Sequence, residues 1–90
     1  MAFIVGVFEG DVDRFKETFN EDPLGRKQAA KGHTILRSVD NPNQIFVRVE
    51  FGSVEEANAF RDRLREANIL DYLDIKVSPT VTELEDQATY

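Results

Sequence analysis

His33 is the only histidine in this chain, and an imidazole with an unperturbed pKa of about 6.5 is the natural proton shuttle near neutral pH. The turn formers Asp40-Asn41-Pro42-Asn43 separate two apolar runs, which predicts a hairpin. If that turn closes Val39 against Gln44, His33 faces Glu50, Ile35 faces Arg48 and Arg37 faces Phe46. A His33–Glu50 pair would orient the ring and hold it cationic, an arrangement suited to acid–base catalysis. The plainer account is a cross-strand polar pair that fixes register, a common stabiliser. Arg37 and Arg48 on one face could clamp a carboxylate or phosphate bidentately, or pair with acids instead. One His and one Glu fall short of the usual zinc ligand set, so no metal is expected.

The elements that must position these residues follow from periodicity. Ala2 to Phe8 reads AFIVGVF, too short for a helix and apolar on both faces, as a central strand should be. Asp11 is a good N-cap for a helix whose buried stripe is Val12, Phe15 and Phe19. Asp22-Pro23 should end it. Leu24 to Lys31 predicts a second helical piece, with Gly32 as its left-handed C-terminal residue. His33 to Val39 and Ile45 to Phe51 are the hairpin strands, the second alternating Ile45, Val47, Val49, Phe51 against Phe46, Arg48, Glu50. Ser53-Val54-Glu55-Glu56 has the pattern of a capping box, opening a helix with Ala57, Phe60, Leu64 and Ala67 as its stripe. A fourth strand runs from Ile75 to about Thr82, and Pro79 within it demands a sheet edge.

Strand, helix, strand, strand, helix, strand predicts an α+β, ferredoxin-like βαββαβ fold. Its four-stranded antiparallel sheet has order 4-1-3-2 and both helices on one face. A central first strand and an edge fourth strand both agree with that order. Residues 1–82 form one domain and 83–90 an acidic tail. Seventeen acids against 11 bases give a net charge of −6, which argues against nucleic acid and anionic membrane as partners. The acid-free stretch from Pro23 to Val39 holds Arg26, Lys27, Lys31 and Arg37. Without interleaved aromatics it is a poor nucleic-acid patch, and cations against a helix C-terminus explain three of them. No apolar run approaches the roughly 18 residues of a membrane span. Zero cysteines fit a cytoplasmic setting.

The sheet face away from the helices should carry Phe46 and Ile35 among Arg37, Arg48, His33 and Glu50. The first strand adds either Ile4 and Phe8, with Gly6 leaving room for a ligand, or Phe3, Val5 and Val7; the glycine favours the former. Such a face is too apolar for water and too polar for a core. A two-fold dimer closing two sheets over a lined cavity resolves the conflict. The alternative is a monomer whose mixed face is solvated around scattered apolar groups, and the apolar first strand favours the dimer.

The order of elements, the run RKQAAKGHTILRSVDNPNQIFVRVEFGSVEEANAF and the two-faced first strand resemble the dimeric α/β-barrel superfamily. That group includes antibiotic-biosynthesis monooxygenase-like proteins, haem-degrading monooxygenases and stress-responsive barrels. The resemblance implies pairing through the sheet faces and a small-molecule pocket between the sheet and helices of each subunit. Haem-degrading members use an Asn/Trp/His set that a chain without Trp does not supply, so no cofactor is expected. The leading expectation is a homodimer binding a small anionic or aromatic organic molecule. Arg37, Arg48, Phe46 and Ile35 would contact it, and His33 and Glu50 are the candidate catalytic pair. The alternatives are a cofactor-independent monooxygenase or isomerase-like enzyme with His33 as base, and a structural or regulatory dimerisation module.

Overall fold

The computed structural model describes residues 1–90. Strand β1 (Ala2–Glu9) leads into α1 (Val12–Glu21), then a single-turn α2 (Arg26–Ala29), β2 (Gly32–Arg37), β3 (Gln44–Phe51), α3 (Val54–Ala67) and β4 (Asp74–Glu83). The four strands form one antiparallel sheet in the order β2-β3-β1-β4, the ferredoxin-like order that the residue pattern requires. No helix is long and apolar enough to cross a membrane.

Local chemistry sets the helix ends. The Asp11 carboxylate accepts from the backbone N–H groups of Asp13 and Arg14, and Ser53 Oγ accepts from Glu56 N–H, satisfying donors that a first helical turn leaves unpaired. Helix α1 stops at a left-handed Asp22 (φ 55°) immediately before Pro23, as a pre-proline residue barred from the right-handed helical region should. The second helical piece is shorter than the sequence predicts, Arg26–Ala29 rather than Leu24 to Lys31. Its left-handed glycine is Gly25 (φ 72°) at the start, not Gly32, which opens β2.

The core lies between the sheet and the helices. Ile4 and Phe8 of β1, Ile45, Val47, Val49 and Phe51 of β3, Phe15 of α1, and Ala57 and Phe60 of α3 are buried in it. Burying a side chain of this size contributes roughly 1.5–3 kcal/mol, so both helices are pinned mainly through Phe15 and Phe60. The alternation of β3 is as its sequence predicts. Of the two settings open to β1, the structure takes the one the glycine disfavours: Ile4 and Phe8 face the helices, while Phe3, Val5 and Val7 lie on the open face opposite Glu50, Arg48 and Phe46. Gly6 therefore opens no room on the open face. The Phe8 ring folds over it on the helix side, so close that a β-carbon there would lie 2.7 Å from the ring.

The hairpin register also differs from expectation by one residue. Gly32 pairs with Glu50, His33 with Val49, Thr34 with Arg48, Ile35 with Val47, Leu36 with Phe46 and Arg37 with Ile45. The cause is Ser38, whose Oγ accepts from the N–H groups of both Asp40 and Asn41, while its own N–H donates to the Gln44 carbonyl. Val39 is thereby drawn into the loop, where it is fully exposed. A one-residue slip sends every side chain of a strand to the opposite face.

Strand β4 is an edge strand, pairing only with β1. Its register shifts around Val7, with Ser78 and Pro79 bulged out opposite Gly6. A residue with no N–H to donate is tolerated at such a place. Residues 84–90 beyond it are exposed and without regular structure.

Candidate functional site

The shifted register divides the residues that the sequence grouped together. Phe46, Arg48 and Glu50 are on the open face, where the Arg48 guanidinium lies 5.2 Å from the Phe3 ring centroid. His33, Ile35 and Arg37 lie opposite β3 residues that face the helices. The His33–Glu50 pair is therefore not formed, nor do Arg37 and Arg48 share a face. Ile35 packs against the core and Arg37 is exposed at the end of its strand. His33 sets its ring edge-on against Phe19, with centroids 4.8 Å apart. Partial desolvation lowers its pKa from the ordinary value, and the nearby charges of Arg26 and Lys27 lower it further. These surroundings favour the neutral imidazole, the reverse of the cation that a Glu50 partner would favour.

A different group of residues surrounds a cavity of about 80 Å³ between sheet and helices. Twelve of its eighteen lining residues are apolar. Ile4, Phe8, Val47 and Val49 form the sheet wall, Phe15 and Phe19 come from α1, and Phe60 and Leu64 from α3. Leu70 and Tyr72, between α3 and β4, and Pro79 in the bulge of β4 complete it. Phe8, Phe15 and Phe19 follow one another along one side at centroid spacings of 6.1 and 5.5 Å, within the range of favourable aromatic pairs.

Three polar side chains, Thr18, Asp22 and Arg26, line this apolar space, and Tyr72, counted among the apolar twelve, brings a hydroxyl. Arg26 is the one charged residue buried in the protein, at 6% exposure. Its position follows from the break after α1: left-handed Asp22, Pro23 and left-handed Gly25 turn the chain so that α2 returns over Phe19. The guanidinium lies 3.5 Å above the Phe19 ring centroid, and Nη1 donates to the Phe19 carbonyl at 2.7 Å. Asp22 Oδ1 stands 4.0 Å from Nη1, a loose ion pair, while Asp22 Oδ2 accepts from Lys27 N–H. Burial lowers the Arg26 pKa and the neighbouring Asp22 charge opposes that; a guanidinium remains cationic in either case.

Three buried polar atoms of this group have no hydrogen-bond partner within the protein: Arg26 Nη2, Asp22 Oδ1 and the Tyr72 hydroxyl. Buried polar groups are ordinarily satisfied, and each exception calls for an explanation. The Tyr72 ring is held from outside by Arg14, 4.5 Å from its centroid. Thr18 is engaged, donating to the Arg14 carbonyl. The space thus combines aromatic walls, one fixed cation and one free phenol, which suits an apolar molecule bearing a polar end. Sequence reading counted Arg26 only among cations near a helix end; the signal for its burial was the Asp22-Pro23-Leu24-Gly25 turn that folds α2 back on α1. Tyr72 lies in an irregular stretch where no periodicity marked it.

No family model matches the chain, and no curated protein matches it. Among solved structures, it is similar to a protein from Deinococcus radiodurans whose structure is described as that of a "putative antibiotic biosynthesis monooxygenase". The superposition has a TM-score of 0.63 and covers 100% of this chain and 98% of the other, at 10% sequence identity. At that identity the likeness establishes a shared fold.

Proposed function

We propose that this protein is a homodimer that binds a small aromatic or otherwise apolar organic molecule in the cavity between its sheet and helices. The observation that carries this reading is one aromatic-walled space lined by Arg26 and Tyr72, each of which holds a buried polar atom with no partner in the protein. Of the residues first grouped by sequence, Phe46, Arg48 and Glu50 serve the dimer and not the cavity. They lie with Phe3, Val5 and Val7 on the sheet face that no helix covers. A two-fold axis through that face would let Arg48 of one copy meet Glu50 of the other, the self-complementarity such an interface requires. His33, Ile35 and Arg37 do not line the cavity. The cysteine-free composition suits a cytoplasmic setting.

The test of the cavity reading is fragment binding followed by two-dimensional NMR. Aromatic fragments should shift the amide signals of Gly6, Phe19, Leu64 and Tyr72. Leu64→Trp, which fills the space, should abolish those shifts while leaving the rest of the spectrum in place. Shifts confined to the open sheet face would sink the reading.

A second reading is a cofactor-independent oxygenase acting on the bound molecule, drawing on the fold shared with the Deinococcus radiodurans protein. Arg26 and Tyr72, rather than His33, would then stabilise an enolate or phenolate oxygen. Oxygen consumption with a bound, electron-rich aromatic distinguishes this reading from simple binding. A third, a dimerisation module with no ligand, predicts a dimer that takes up no fragment at all.

A further inference from the structure

We propose that the molecule taken by this cavity is an organic anion, its charged end held by Arg26 and its approach steered by Lys27 and Lys31. The inference rests on the cavity being the ligand site and adds the charge class of the ligand.

Size supplies the first argument. The cavity is about 80 Å³, against the roughly 150 Å³ of an engineered apolar cavity that encloses benzene. A ligand with an aromatic ring cannot be enclosed whole, so part of it lies beyond the apolar walls. Arg26 is where those walls end. It is the one residue shared with a second, shallower hollow of about 170 Å³, lined by Lys27, Ala30, Lys31, Gly32 and His33.

Charge supplies the second. The whole chain carries −6, yet Pro23 to Val39 contains no acid, so the hollow is a local cationic region on an acidic protein. Such a concentration raises the encounter rate of anions. Asp22 stands beside Arg26 and the Glu56 carboxylate approaches the Lys31 side chain, so Arg26, Lys27 and Lys31 leave a net positive charge of about one around the hollow.

Bonding capacity supplies the third. A guanidinium has five donors. Arg26 engages Nη1 with the Phe19 carbonyl and has only a 4.0 Å ion pair with Asp22, leaving Nη2 buried and unpartnered. A small turn of the guanidinium toward the cavity lets a carboxylate supply the missing acceptor as a charge-assisted bond, whereas a ligand without an acceptor leaves the buried cation half-satisfied. Sites built around a buried polar group discriminate strongly for that reason.

The experiment is calorimetry on the full chain with phenylacetate and 1-naphthylacetate, each against its neutral amide, and with toluene, at low and high salt. One charge-assisted bond of about 1.5–3 kcal/mol predicts that each acid binds at least about tenfold tighter than toluene, and the ion pair places each acid severalfold above its amide, whose carbonyl is a neutral acceptor. Arg26→Gln should abolish that preference and leave amide binding in place. Lys27→Gln with Lys31→Gln, both exposed and safe for folding, should flatten the salt dependence of acid binding even if Arg26→Gln does not fold. Amides binding as tightly as acids would overturn the anion assignment while leaving the cavity reading intact. Failure of acids, amides and toluene alike would overturn both.

Discussion

Phe19 shows how much can be settled around one side chain. Its ring carries the Arg26 guanidinium at 3.5 Å and the edge of His33 at 4.8 Å, and its carbonyl accepts from Arg26. Packing against Phe19 partly desolvates His33 and sets it where a positive charge already stands, so its folded pKa is below the unfolded value of about 6.5. For such a group the unfolded chain takes up the proton more readily than the folded one. Its contribution to stability is thus complete above the unfolded pKa and is lost as pH falls through the folded pKa. Urea unfolding at pH 7.5 and pH 5 should show the wild type losing more stability on acidification than His33→Gln. Because the ring is largely exposed, the difference should be modest. An equal loss in both proteins would mean that neither desolvation nor the neighbouring cations disfavour the charged imidazole.

At the scale of elements, the hairpin is governed by one hydroxyl. Ser38 Oγ holds the N–H groups of Asp40 and Asn41 at 3.2 and 3.1 Å, turning an anticipated four-residue turn into a five-residue loop. The difference is invisible to periodicity, since both loops join the same two strands, yet it moves His33, Ile35 and Arg37 across the sheet. Ser38→Ala should cost about 0.5–1.5 kcal/mol, read as a lower urea midpoint with unchanged slope. A loss below a few tenths would show that the loop is held by its backbone bonds alone. The same dependence on local bonds explains α2: the left-handed Asp22 and Gly25 place Arg26 over Phe19, and no hydrophobic period announces that turn.

For the whole molecule, the decisive feature is a sheet with helices on one side only. The open side presents Phe3, Val5 and Val7 in its centre with Phe46 (37% exposed), Val77 (46%) and Leu36 (60%) around them. Arg48, Glu50, Thr80 and Thr82 stand opposite Phe3 and Val5, so the face mixes exposed apolar side chains with charges, as a self-complementary interface does. Sedimentation at tens of micromolar should therefore give a dimer, and Phe46→Lys should give monomers with an unchanged circular dichroism spectrum. A monomeric wild type would leave this face without a partner and remove the dimer from the proposal. The strand order was legible from residues because it depends on coarse quantities: how many faces of a strand are apolar, and whether a strand contains proline. Helix caps were legible because Asp11 and Ser53 act within one turn of the backbone they serve. Which face each side chain of β1 and β2 occupies was not, because parity depends on a single residue of loop length and both faces of β1 are apolar. The cavity needed the folded chain for a further reason. Arg26, Tyr72 and Phe8 are far apart in sequence, and only the packing of α1, α2 and the stretch after α3 onto one sheet face brings a cation, a phenol and an aromatic wall around the same space.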